Sequence, residues 1–219
     1  MKHRVFITGG TGYMGRRLIQ ELLARGHDVV ALARQGSAGK LPSGCTTVTG
    51  DALDGATYRQ ALPGCDTFVH LVGVAHPEPY KAKEFVSIDQ KSATKAIHTA
   101  AHAGIAHFVY VSVAQPAPTM HAYIAVRSAC EQELRASGLH ATVLRPWYVL
   151  GPGHRWPVVL LPLYWLAERI PAWREGALRL GLVTLPQMIA ALADAVEHPV
   201  EGIRIVEVPE IRRATPSAR

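Results

Sequence analysis

The sequence predicts an α/β fold, a Rossmann-like doubly wound parallel sheet with a small C-terminal lobe, and three observations carry that expectation. Short β-branched runs alternate with longer segments of helical periodicity, as a parallel sheet with crossover helices on both faces requires. The first run leads through the glycine-rich turn "TGGTGYMG" directly into an amphipathic segment. The chain has 219 residues and 48% hydrophobic content, which suits one large domain or a domain with a small appended lobe.

In chain order, "RVFIT" is the first expected strand. The helix after it, from about Tyr13 to Arg25, buries Met14, Leu18, Leu22 and Leu23 at three-to-four spacing and stops at Gly26. "DVVALA", "TTVTG" and "DTFVHLV" are the next strands. A long helical segment from about Lys81 to Ala103 packs through Phe85, Ile88, Ala96, Ile97 and Ala100, and Gly104 closes it. "HFVYVSV" and "HATVLRP" are two further strands, and between them "HAYIAVRSA" reads as a helix with Tyr123 and Arg127 on one face. Residues 1–150 form the Rossmann-like region. From about residue 151 proline becomes frequent, and Trp156, Trp165 and Trp173 crowd a short span. Residues 151–219 are expected as a cover lobe of the same structural domain, laid over the strand ends. It holds helices near Val158 to Glu168 and Gln187 to Glu197, a late strand at "IRIVEV" and a frayed "RRATPSAR" end.

Charge and composition narrow the function classes. The net charge is +6 and the isoelectric point about 9.4, but the basic residues are scattered, so a phosphorylated small molecule is expected rather than nucleic acid. Cys45, Cys65 and Cys130 fit neither a disulfide framework nor a zinc signature, which points to a reducing cytoplasm. His98 and His102 lie four apart without a third ligand and read as a solvated helix face, so no metal is expected. The apolar run in "MKHRVFITGG" is too short for a signal peptide. "WPVVLLPLYWLA" falls short of the roughly 20 residues of a bilayer span and is broken by Pro157 and Pro162. It is read as buried surface, with a membrane-lying or partner-binding helix as the alternative.

Gly9, Gly12 and Gly15 sit at GxxGxxG spacing between strand and helix. Small residues let the backbone turn tightly and approach a pyrophosphate, whose charge the N-terminal helix amides hold. The second strand ends at Ala33 with Arg34 next, and no acid stands there to bind a ribose 2′-hydroxyl. A guanidinium at that place can pair with a 2′-phosphate or stack on adenine, with Arg16 able to help, so NADP is expected before NAD.

The set "TGGTGYMG", "GDALD", "HLVG", "FVYVSV", Tyr123 with a cation four residues on, and "RPWYVLGPG" resembles the short-chain dehydrogenase/reductase superfamily, in its extended and atypical branches related to nucleotide-sugar epimerases and NmrA-like proteins. The resemblance covers nearly the whole chain. It implies that Thr11, Tyr13 and Met14 join the three glycines around the cofactor, that Asp51 reaches the adenine amino group with Ala52 beside it, and that Leu71, Val72 and Gly73 pass the adenosine ribose. It also implies that Pro146 and Val149 lie against the nicotinamide ring. In the family pattern Ser112 orients the substrate oxygen and Tyr123 moves the proton. The residue at Arg127 is there a lysine that binds the ribose and lowers the tyrosine pKa. The chain departs from the pattern at Arg127 and at Asp89, where the family has asparagine, and Glu131 offers Arg127 a competing carboxylate. The resemblance implies an NAD(P)-dependent oxidoreductase or epimerase-like enzyme acting on a small carbonyl or hydroxyl substrate, as a monomer or homodimer. A non-catalytic NAD(P)-binding sensor or assembly protein is the alternative. Arg155, Arg169, Arg174 and Arg179 leave a nucleotide-sugar diphosphate a lesser option beside an apolar substrate.

Overall fold

The computed structural model describes residues 1–75, 77–152, 159 and 161–216. The chain runs β1 (Arg4–Thr8), α1 (Tyr13–Ala24), β2 (Asp28–Ala33), β3 (Thr46–Thr49), β4 (Thr67–His70), α2 (Ala82–Glu84), a π-helical turn (Phe85–Gln90) and α3 (Lys91–His102). It continues as β5 (His107–Val111), α4 (His121–Ala136), β6 (Ala141–Arg145), β7 (Tyr148–Leu150), α5 (Leu161–Ala167), α6 (Pro171–Arg179), β8 (Leu182–Thr184), α7 (Leu185–Glu197), β9 (Ile203–Glu207) and α8 (Val208–Arg213).

Seven parallel strands form one sheet in the order β3-β2-β1-β4-β5-β6-β9, and β7 pairs with β8 in a second, two-stranded sheet. Alternation along β1 sorts the core into two layers. Val5 and Ile7 join Leu18, Ile19 and Leu22 of α1 and Met188 and Leu192 of α7 on one face. Phe6 points the other way, into a layer with Ala96 and Ile97 of α3 and Cys130 and Leu134 of α4. Phe68 stands at the centre of that layer, its ring centroid 5.1 Å from both Phe6 and Phe108. From β1 the chain first builds toward β3 and then returns to β4 on the other side of β1, so a crevice opens at the carboxyl ends of β1 and β4.

The expected strands and the first helix are present. The long expected helix is interrupted by the π turn at Phe85–Gln90, which changes the phase of its side chains. Residues beyond 151 divide between two places. α7 and β9 belong to the main layers, whereas α5 and α6 pack on each other. The short elements β7, β8, α6 and α8 carry too few residues for a legible period. Trp156, Val158 and the final residues of "RRATPSAR" lie outside the described residues. Among the described residues no helix is long and apolar enough to cross a membrane.

Candidate functional site

The turn between β1 and α1 is shaped by backbone contacts that exclude side chains. Gly9 has φ +77°, and a Cβ there would lie 2.7 Å from the carbonyl carbon of Leu71. A Cβ at Gly15 would collide with the Gly9 carbonyl oxygen and the Gly10 backbone. The Gly12 amide donates to the Gly9 carbonyl at 3.0 Å and closes the turn. The first turn of α1 has no side-chain cap and no acidic residue, so the positive end of the helix is left for an anion.

Gly9, Thr11 and Gly12 line one end of an open cleft of about 420 Å³. Arg34, Asp51 and Ala52 line one side, and Leu71, Val72 and Gly73 the other. These residues share one cavity because the ends of β1, β2 and β4 meet at the crevice. The cradle therefore fits a dinucleotide, with small residues where a diphosphate must approach and a cation at the far side. Gly15 is buried beneath the turn, and Tyr13 and Met14 are half-buried against the α1–α7 core. A Cβ at Gly151 would strike the Tyr13 hydroxyl, so β7 and α1 approach closely there. Pro146 is buried, its carbonyl accepting from the Ala114 amide at 3.0 Å, and Val149 packs on the core from β7. Gly15, Tyr13, Met14, Pro146 and Val149 do not line the cleft. Leu53, Glu84 and Ile88 do, although the sequence reading placed Ile88 in the core. The π turn carries Ile88 to the cleft, a shift in phase that ordinary helical spacing does not reveal.

Two buried polar networks stand behind this cleft. Arg127 donates from Nη2 to Asp89 Oδ1 at 2.5 Å, and from Nη1 to the Val111 carbonyl at 3.0 Å and Tyr110 Oη at 3.2 Å. Asp89 is fully buried, and its Oδ2 accepts from the Val74 amide at 2.9 Å. Burial pushes the Asp89 carboxyl up from its ordinary pKa against the opposing pull of Arg127. A Cβ at Gly73 would lie 2.5 Å from Arg127 Nη2, so the ion pair sits directly behind the cleft wall.

In the second network Ser112, 3% exposed, donates to Glu131 Oε1 at 2.5 Å. Glu131 also accepts from Gln115 at 3.1 Å and from both Nε and Nη2 of Arg145, at 3.0 and 2.5 Å. This arrangement corrects the expected competition of Glu131 for Arg127. Arg145 grips Glu131 with its planar fork, and the π turn brings Asp89 to Arg127 instead.

Tyr123 packs beside the first network. Its ring centroid is 4.9 Å from that of Phe85 and 5.0 Å from the guanidinium carbon of Arg127. Burial raises its pKa, while the Arg127 charge pulls it back. At the end of β4, His70 bonds Thr8 Oγ1 through Nδ1 at 2.8 Å, and its Nε2 lies 3.4 Å from Ser92 Oγ. Burial and the nearby Arg127 charge lower its pKa to about 3, so the ring is neutral at pH 7. His98 pairs with Glu133 at 3.1 Å, and His102 bonds the His98 carbonyl at 2.7 Å. Among the described residues no group of three or more His, Cys, Asp or Glu is placed to hold a metal ion.

A family model described as NAD(P)H-binding matches residues 9–155. A ceramide reductase of Caulobacter vibrioides (strain NA1000 / CB15N) is 28% identical over 213 residues, 95% of this chain and 65% of that protein. A 3-beta-hydroxysteroid dehydrogenase of Mycolicibacterium neoaurum is 33% identical over 116 residues, 50% of this chain and 31% of that protein. The chain thus spans less than two thirds of the length of either relative. Among solved structures, the Bordetella bronchiseptica enzyme WbmH in complex with NAD+ is 23% identical with TM-score 0.70, over 96% of this chain and 79% of that one. The UDP-glucose 4-epimerase of Thermus thermophilus, in complex with NAD, is 20% identical with TM-score 0.66, over 95% and 81%. These two likenesses are of fold.

The neutral His70 makes a pH prediction with a definite sign. Its folded pKa of about 3 lies below the value of an unfolded histidine, so its contribution to stability is complete above pH 6.5 and is lost as pH falls toward 3. Denaturant unfolding of His70→Gln at several pH values between 4 and 6 should show a pH slope shallower than that of the unsubstituted chain by about 1.4 kcal/mol per unit. Equal slopes would show that His70 is protonated in the folded state.

Proposed function

The chain belongs to the NAD(P)H-binding family, and from that premise we propose that it is an NADP-dependent oxidoreductase of the extended short-chain dehydrogenase/reductase type. Its substrate is largely apolar and carries a reacting carbonyl or hydroxyl carbon. The observation that carries this reading is the continuous cleft from the glycine cradle to Arg34. Residues 1–150 hold the cofactor, and of the residues after 151 the helices α5 and α6, outside the main layers, cover the substrate side.

Arg34 supports NADP over NAD. It is exposed on the cleft wall directly after the last residue of β2, the position where an acid would bind a ribose 2′-hydroxyl. The solved neighbours above are complexes with NAD, so the preference rests on this residue. The names of the relatives, a ceramide reductase and a hydroxysteroid dehydrogenase, support an apolar substrate. The free cysteines Cys45, Cys65 and Cys130 suit a reducing cytoplasm.

A nicotinamide cofactor in the cleft supplies the hydride, and the chain's own residues handle the proton. Burial keeps the Tyr123 phenol protonated at neutral pH, which suits a donor to the oxygen of a carbonyl under reduction. The Arg127 charge stabilises the phenolate left behind. With its fork committed to Asp89, Val111 and Tyr110, Arg127 acts through charge as a positioning residue rather than as a ribose clamp. Ser112 donates its hydroxyl hydrogen bond to Glu131, which leaves the oxygen lone pairs to accept from a substrate hydroxyl.

The same commitments of Arg127 and Ser112 favour a second reading, a dinucleotide sensor without turnover. Substitution separates the two. With NADPH and a panel of apolar ketones, Tyr123→Phe should lower kcat by about 10²–10⁴-fold with coenzyme affinity unchanged. Full turnover by that variant removes Tyr123 from the chemistry, and no turnover by the unsubstituted chain on any ketone supports the sensor. Arg34→Glu should weaken NADPH binding while leaving NADH binding nearly as it was, measured by fluorescence titration; an equal loss for both coenzymes contradicts the 2′-phosphate assignment.

A further inference from the structure

We propose that the face formed by α5 and α6 docks on an anionic lipid surface. Large apolar side chains rarely stay in water together, yet Leu163, Trp165, Leu166 and Trp173 are 60%, 60%, 50% and 60% exposed on these two packed helices. The segment's carboxylates are occupied. Glu168 pairs with Arg212 at 2.8 Å, and Glu175 pairs with Arg179 at 2.9 Å. Arg169 and Arg174 are exposed and have no carboxylate partner among the described residues. The Arg169 guanidinium carbon lies 3.3 Å from the Trp165 ring centroid, so this cation is held beside the indole without a counter-ion.

Indoles, leucines and uncompensated arginines on one face match the boundary between lipid headgroups and acyl chains. Leucine enters the apolar layer, indole sits at its edge, and guanidinium pairs with phosphate. A two-fold contact with a second copy would set these arginines against their own kind, which an anionic surface does not. α5 has seven residues and spans about 10 Å, so it lies on a membrane rather than through it.

Two tethers relate this face to the crevice. Arg179 Nε donates to the Pro116 carbonyl at 3.1 Å, on the loop that follows Ser112, and Arg212 joins Glu168 to the Leu182 carbonyl of β8. Docking would therefore turn the carboxyl ends of the strands toward lipid. Membrane binding stands without the catalytic reading, whereas the entry of an apolar substrate from lipid rests on it.

The test is flotation of the full chain with vesicles of phosphatidylcholine alone or mixed with phosphatidylglycerol. The mixed vesicles should bind the chain and the neutral ones should bind it weakly. Trp165→Ala/Trp173→Ala should weaken binding by at least about ten-fold, and Arg169→Gln/Arg174→Gln should abolish the preference for anionic lipid, with unchanged circular dichroism. NADPH titration of the same variants should match the unsubstituted chain, which separates this surface from the coenzyme site. Absence of vesicle binding, equal binding to both compositions, or undiminished binding by the tryptophan variant overturns the proposal. So does a dimer, indifferent to vesicles, that the tryptophan variant converts to monomer, because it assigns the face to a second copy.

Discussion

At Gly15 the first turn of α1 passes so close to the Gly9 carbonyl that no Cβ fits between them, and the site depends on this approach. It fixes the angle at which the helix leaves β1 and aims the amino-terminal end of α1 at the crevice. The same angle lays Leu18 and Leu22 on the sheet beside α7, so one steric constraint serves both core and cleft. Neighbouring positions repeat the logic. Gly9 clears the Leu71 carbonyl, and Gly73 clears the Arg127–Asp89 pair.

Behind the glycines, charge takes over from shape. Asp89 on the π turn and Arg127 on α4 join two elements that also pack through Phe85, Val126 and Cys130. Breaking a buried pair of this kind by removing one partner costs about 3–5 kcal/mol, because the other charge is stranded away from water. The bond from Val74 to Asp89 carries that rigidity to the cleft wall. Glu131 performs the parallel service for Ser112, gathering Gln115 and Arg145 around one carboxylate. The first network also fixes Tyr123, whose ring lies between Phe85 and the Arg127 guanidinium.

Local patterns made most of the fold legible. β-branched runs give β1 to β6, apolar spacing gives α1 and α7, and the glycine turn marks the crevice before any coordinates are known. Arg34 lines the cleft, its place after β2 having been read from the residues, and so do Asp51 and Gly73, which only the family resemblance singled out. What escaped depends on distance along the chain. Glu131 lies four residues from Arg127 and Asp89 lies 38 away, yet the π turn and Arg145 decide the pairing. Ile88 escaped for a related reason, since one widened turn rotates an apolar residue from core to cleft. The exposure of Trp165 and Trp173 could not be read from composition, because indole serves cores and surfaces alike.

Titration of the unsubstituted chain and of Gly15→Ala with NADPH and NADH tests the central claim most directly. Saturable binding of NADPH ahead of NADH, lost when a single methyl group enters the cradle, is the predicted result. Failure of both coenzymes to bind, or binding indifferent to that methyl group, contradicts it.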